Sequence, residues 1–538
     1  MHPFFMSINK QLLKAQKYLR TGSYIKAIEI LNKYLKTSPE EISALMLRGE
    51  AFLRGEQFES ALTDYAKVIE RDNKNILALN NFSIALIRCN KYNDAKEIIA
   101  YVHELDPNNF PAYINSGNIH QALGEYKEAI NSAMSAVQQD PKSSLAYVNL
   151  GSALGGIRLF QEAKQAFLMA NFYDPKNIYI KINLAQIEEK LGNIKDAKLM
   201  YEQILQLNYL TPLESNLVKY YLSYIYLALG QLKQGWDFYE YGFSKLLPPD
   251  ACRSRRVFSQ PAWTGNADER KPILVWREQG VGDEILFSTC LGDMHDLNLN
   301  IILECDPRLV AIYQRTYPKF RVRKESMNTD FTPQFDDFDY QIAIGSLPRY
   351  FRRNIGNFDT KPYLWKPLPE SVSLVKVRLA PYKHKILIGI CWRSAKLSIE
   401  RNLNYTALQD WTSLLSNPNY QFVNLLHGDC EAEINAIENS LNIQILRWSD
   451  INLKDDLETV LALTSELDCV VSIGSAVSVI AASAGVNTLV LLQRSWVLLG
   501  NSENYPWYPN VRAFTVEVNE HVGINIKSLD SYIVKKSN

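Results

Sequence analysis

Apolar positions over the first 243 residues repeat with a period of 34. Alanine recurs at 27, 61, 95, 129, 163 and 197. Three positions before each alanine stands a bulky residue: Tyr24, Phe58, Tyr92, Tyr126, Phe160 and Ile194. A small residue at a fixed place lets the second helix of a pair pack closely on the first. Turn residues Gly22, Gly124 and Gly192 precede these positions. Prolines 107, 141 and 175 keep the same period and are expected to open the next unit, because proline cannot continue a helix but suits its first turn. The pattern predicts a solenoid of about seven helix-turn-helix units over 1–245. The seventh, Leu229-Gly230-Gln231-Leu232 with Gly235-Trp236, is displaced and degenerate, as a terminal repeat is where it docks on something else.

This period and its small residues resemble the tetratricopeptide repeat. A second ladder, Asn81, Asn115, Asn149 and Asn183, falls at the same spacing in the first helix of each unit. An asparagine amide offers two donors and an acceptor, so a row of them suits the backbone of an extended peptide. Asn149-Leu150-Gly151 resembles the repeats of the superhelical arm of O-GlcNAc transferases. Asparagine is also common at this repeat position for packing, so both readings stand.

The period fails after about residue 243, and 246–270 reads as a linker: Pro248-Pro249, then Arg253, Arg255 and Arg256, then Pro261-Ala262-Trp263-Thr264-Gly265. Trp263 is expected to anchor it. Beyond Lys271, short apolar runs alternate with helical stretches: 273–276, 301–304, 340–344, 386–390, 422–426, 470–473 and 488–492. Such runs suit strands buried on both faces of a parallel sheet. The fold class expected is an α solenoid followed by α/β, with two Rossmann-like lobes, 271–370 and 371–538, facing a cleft. Ligands of such sheets bind where the strands end.

Three loops have that position. Glu278-Gln279-Gly280-Val281-Gly282-Asp283 lacks the third glycine of a dinucleotide loop. Gly280 and Gly282 allow close backbone approach to a ligand. Asp283 is either a helix cap or a catalytic carboxylate, and on spacing alone the cap is favoured. The second loop, Cys391-Trp392-Arg393-Ser394-Ala395-Lys396 with Arg401 beyond it, offers positive charge from Arg393, Lys396 and Arg401 and a hydroxyl from Ser394, a set suited to phosphate. The third, Ile473-Gly474-Ser475-Ala476, offers backbone amides at a helix start. Asp455 and Asp456 read as caps before nucleotide contacts, and His427 as structural before functional.

Trp276-Arg277-Glu278-Gln279-Gly280-Val281-Gly282-Asp283-Glu284-Ile285, with Gly389-Ile390-Cys391-Trp392-Arg393-Ser394, resembles the heptosyltransferase-like glycosyltransferases of GT-B type. The combination is more similar still to bacterial proteins that fuse tetratricopeptide repeats to such a domain, flagellin glycosyltransferases among them. The resemblance runs from Pro261 to about Phe514. It implies that Asp283 is the general base, that Gly280, Gly282, Arg393, Ser394, Lys396, Arg401, Gly474 and Ser475 hold a nucleotide-sugar donor, and that transfer inverts the anomeric centre without a metal or other cofactor. The repeats would hold a protein acceptor, flagellin being the one the resemblance names, through Asn81, Asn115, Asn149 and Asn183. Gly474 and Val479 stand where such enzymes usually carry an acidic residue and a histidine, so the donor sugar does not carry over.

Charge and composition narrow the alternatives. Fifty-eight Lys and Arg balance 58 Asp and Glu, which gives no electrostatic case for nucleic acid or a membrane surface. Seven scattered cysteines without a CxxC argue against structural zinc and for free thiols in a reducing cytoplasm. Residues 1–10 lack a signal-peptide core. The uncharged stretch 469–493 is long enough to span a bilayer, but Gly474, Ser475 and Gly485 split it into strand, helix and strand. The expected function is a cytoplasmic protein glycosyltransferase acting on serine or threonine. The alternatives are a non-catalytic scaffold with a degenerate transferase region, or transfer to a glycan or lipid.

Overall fold

The computed structural model describes residues 2–248, 251–254, 256–267, 269–358, 363–394, 405–501, 503–516 and 522–534. It divides into two compact units, residues 1–187 and 188–538.

The first unit is a run of helix pairs. Its second helices are Tyr24–Thr37, Phe58–Arg71, Tyr92–Leu105, Tyr126–Gln139 and Phe160–Tyr173. Each opens on the bulky residue that the 34-residue period singles out. The alanine three positions on is fully buried in every one of them, because a larger side chain would separate the paired helices. Glycine serves the same closeness at Gly151, where an added Cβ would lie 2.8 Å from the Phe167 ring. Pro107, Pro141 and Pro175 do not sit in helical first turns. They lie in the turns three residues ahead of Phe110, Ser144 and Ile178, where the next helices start.

The second unit begins with the last repeat helices, Ile194–Leu205, Pro212–Ala228 and Leu232–Tyr239. Thr211 and Glu214 close a reciprocal capping box at the start of the second. Two sheets follow. The first holds β1 (Ile273–Trp276), β2 (Ile301–Cys305), β3 (Arg321–Lys324) and β4 (Tyr340–Ala343) in the order β3-β2-β1-β4. The second holds β5 (Ile386–Cys391), β6 (Tyr420–Asn424), β7 (Ile445–Leu446), β8 (Cys469–Ile473), β9 (Asn487–Gln493) and β10 (Val511–Val516) in the order β10-β9-β8-β5-β6-β7. All pairings in both are parallel. Counted in chain order, the second sheet reads third, second, first, fourth, fifth, sixth. That is the doubly wound arrangement, with its reversal between β5 and β8. The uncharged stretch forms β8, the helix Ala476–Ser483 and β9, and among the described residues no helix is long and apolar enough to cross a membrane.

The division into compact units falls at 187/188, ahead of the last repeat, which is packed into the α/β part. Trp236 is 1% exposed and meets Phe287, Trp496 and Trp507 edge-on, and its indole nitrogen donates to Arg352 O at 2.9 Å. In the described parts of 246–270 the connector is anchored, with Trp263 in the role expected of it. Val257 N donates to Phe331 O at 3.0 Å, Trp263 N donates to Gln341 O at 2.9 Å, and Trp263, 2% exposed, packs on Tyr350 and Phe351. Arg255 lies outside the described residues.

Candidate functional site

Two of the three loops meet. After β1 the chain turns into the helix Val281–Phe287, whose N-cap is Gly280. Asp283 is therefore not the cap expected from spacing. It stands in the first turn, half-buried, and Gly280 lies close enough that an added Cβ would be 3.5 Å from Asp283 Oδ2. After β8, Gly474 leads to Ser475, which caps the helix Ala476–Ser483 in a reciprocal box with Ser478. A Cβ on Gly282 would sit 3.6 Å from Ala476 Cα, so the first turns of the two helices approach backbone to backbone. Tyr508 ties them from behind: its hydroxyl donates to Ile285 O at 3.2 Å and lies 2.9 Å from Ser483 Oγ. Val479, in the helix Ala476–Ser483, is buried at 6% exposure.

At the reversal between β5 and β8 lies a cavity of about 310 Å³ lined by Cys391, Arg393, Ser394, His427, Gly474 and Ser475, among others. The second and third loops therefore share one pocket at the carboxyl edge of the sheet. Gly474 leaves it open, since nothing lies within 4 Å of an added Cβ. His427 also lines a larger cavity, about 970 Å³, with Arg447, Trp448, Asn452 and Lys454 at the ends of β6 and β7. Both volumes are in the range of small-molecule clefts. Burial, and the positive charges of Lys454 and Arg308, hold the His427 imidazole below its usual range, so it is neutral near pH 7. Burial pushes the Cys391 thiol up to about 11, which keeps it protonated.

Arg393 is committed elsewhere. Its Nε donates to Glu433 Oε1 at 2.9 Å, its Nη2 donates to the same carboxylate and to Asp429 O at 2.7 Å, and Trp392 Nε1 donates to Glu433 Oε2 at 2.7 Å. The guanidinium expected to meet phosphate thus clamps the loop to the helix Glu431–Leu441. Lys396 and Arg401 lie outside the described residues. Asp456 is the helix cap that its position predicts, accepting from Thr459 N at 3.0 Å.

Glu278 of the first loop has a structural role. It is buried beside Gly345 N, which donates to it at 3.1 Å, and is paired with Arg253. Arg277 Nε donates to Glu284 Oε2 at 2.8 Å and Arg277 Nη2 donates to Gln279 O at 3.1 Å. Burial raises Glu284 to about 7 against the pull of Arg277. These pairs fix the loop that carries Asp283.

The asparagine ladder is partly spent inside the solenoid. Asn115 and Asn149 are each 5% exposed. Asn115 Nδ2 donates to Ser83 Oγ at 3.1 Å and to Asn80 O at 3.4 Å, and Asn149 Nδ2 donates to Ile114 O at 3.2 Å. These donors link neighbouring first helices, a correction to the expectation that they face a peptide. Asn81 and Asn183 are half-buried.

Residues 12–76 and 110–143 match family models described as tetratricopeptide repeat. Protein FlbA of Caulobacter vibrioides is 32% identical over 322 residues, 57% of this chain and 53% of that protein. The chain thus spans about half the length of this curated relative. Among solved structures, MamA (41-end) from Desulfovibrio magneticus is 23% identical with a TM-score of 0.29, covering 31% of this chain and 94% of that one. A tetratricopeptide repeat protein from Parabacteroides merdae is 16% identical with a TM-score of 0.38, covering 44% and 91%.

Proposed function

We propose that this tetratricopeptide-repeat protein is a glycosyltransferase of GT-B type. It moves a sugar from a nucleotide-sugar donor to a serine or threonine of a protein acceptor, in the cytoplasm. The observation that carries the reading is the meeting of the Gly280–Asp283 turn with the Gly474–Ala476 turn beside a cavity at the reversal of a doubly wound sheet. The donor phosphates lie against Ser394, Gly474 and Ser475, with Lys396 and Arg401 as further candidates. The nucleoside extends toward His427 and the larger cavity. Asp283 accepts the acceptor hydroxyl proton as that oxygen attacks the anomeric carbon. The bond from that carbon to the phosphate oxygen breaks, and the nucleotide leaves with the electron pair. Attack opposite the leaving group inverts the centre. The repeats hold the acceptor, flagellin being the class that the resemblance names.

The bond set of Arg393 favours a second reading, a scaffold without turnover, since the arginine best placed for phosphate is already paired. Nucleotide release from a panel of nucleotide sugars separates the two. The transferase reading expects release with at least one donor by the purified chain, and release with none leaves the scaffold.

A further inference from the structure

We propose that the last repeat is part of the catalytic scaffold, and that Tyr239 is a positioning residue for the loop that carries Asp283. This rests on the transferase reading and adds to it a role for the repeats other than holding an acceptor.

Tyr239 ends the helix Leu232–Tyr239 and is 1% exposed. Its hydroxyl accepts a hydrogen bond from Gln279 Nε2 at 2.6 Å. Its ring stacks on the Arg253 guanidinium, 3.9 Å from the centroid, while Phe243 covers the other side at 4.1 Å. Arg253 Nε donates to Glu278 Oε2 at 2.8 Å and Nη1 donates to Glu240 Oε1 at 3.1 Å. Ser346 Oγ donates to the same Glu240 oxygen at 2.7 Å. The two side chains just ahead of Gly280 are therefore both held by the end of the repeats. Gln279 is bound directly, and Glu278 is bound through an arginine that Tyr239, Glu240 and Phe243 enclose.

The far side of the loop is held by Arg277, which donates to Gln279 O and to Glu284. The helix itself cannot shift easily. Trp236 is bonded to Arg352 O, and the turn ahead of it is fixed at Gly230, φ +73°, where an added Cβ would meet Leu499 O at 3.2 Å. A carboxylate that must meet a hydroxyl within hydrogen-bond reach loses rate steeply when displaced. Tyr239 touches neither donor nor acceptor; its hydroxyl acts through Gln279 and its ring through Arg253.

The test uses the full chain with Tyr239→Phe, which keeps the ring and removes one oxygen. Amide hydrogen exchange across 279–284 should speed up by about tenfold, and kcat should fall by about tenfold with donor KM unchanged. Gln279→Met should reproduce both effects, and the double variant should add nothing. Tyr226→Phe is the control: that hydroxyl donates to Glu202 Oε1 at 2.9 Å, away from the loop, and exchange there should not move. Wild-type exchange in the loop of Tyr239→Phe overturns the positioning role, as do additive losses in the double variant. Exchange is read whether or not a donor is turned over, so failure of the transferase reading shows separately, as a wild-type chain that turns over no donor while the loop still loosens in Tyr239→Phe.

Discussion

The role of each charged group near the cavity is set by the partner it has. Asp283 stands in the first turn of a short helix that touches the opposite turn. If it is the base, Asp283→Asn keeps shape and hydrogen bonding but cannot accept a proton. Donor turnover should then fall by about a hundredfold or more with an unchanged circular dichroism spectrum, whereas wild-type turnover removes Asp283 from the mechanism. Glu433 shows how a partner reassigns a residue. It holds Trp392 and Arg393 together, so Glu433→Ala strands a fully buried indole N–H and a guanidinium that is 12% exposed. Stability should drop by about 1–3 kcal/mol, read as a lowered urea midpoint. An unchanged midpoint would return Arg393 to ligand binding. Glu433 could not be read from the chain because it lies 40 residues from Arg393 in a helix with no motif of its own. Asp456 could be read, because its partner is three residues away and capping is local.

At the scale of elements, what was legible follows from how local the signal is. Seven strands announce themselves as apolar runs. β3, Arg321-Val322-Arg323-Lys324, does not, because it is an edge strand whose outer positions meet solvent. β7 is two residues long, and β10 is broken by the half-buried polar residues Arg512 and Thr515. The repeat turns carry a subtler rule. Gly22, Gly124 and Gly192 have positive φ, and so do Glu56, Asn90 and Arg158 at the equivalent places. The fold imposes the left-handed conformation where the sequence supplies no glycine. Glu56→Gly, exposed at φ 59°, should therefore stabilise the first unit by roughly 1 kcal/mol, against the loss that glycine causes at ordinary helix positions. A lowered melting temperature would contradict this.

The asparagine ladder belongs to this scale too. Asn115→Ala and Asn149→Ala each remove bonds between neighbouring helices and should each cost about 0.5–1.5 kcal/mol in denaturant melts. Full stability with lost acceptor binding would restore the peptide-holding role.

At the scale of the whole molecule, the sequence separates repeats from α/β, and the structure draws the line elsewhere. The period of 34 is a statement about local packing, so it locates the helix pairs up to Ile194–Leu205 and misses the displaced last one. It is silent on where a compact unit ends. That is decided by contacts far apart in sequence: Trp236 with Phe287, Trp496 and Trp507, and Arg253 with Glu278. The last repeat thereby belongs to the unit that holds both sheets. The candidate site was half legible, since three loops at strand ends, two of them glycine-bearing, could be named, but not that Gly282 and Ala476 would touch or that Arg393 would face Glu433. Sugar transfer to protein by this unit is read by intact-mass spectrometry of purified flagellin, incubated with the full chain and a panel of nucleotide sugars. Flagellin should gain the mass of one or more sugar residues with the wild-type chain and none with Asp283→Asn. Unmodified flagellin throughout, with every nucleotide sugar intact, would contradict it.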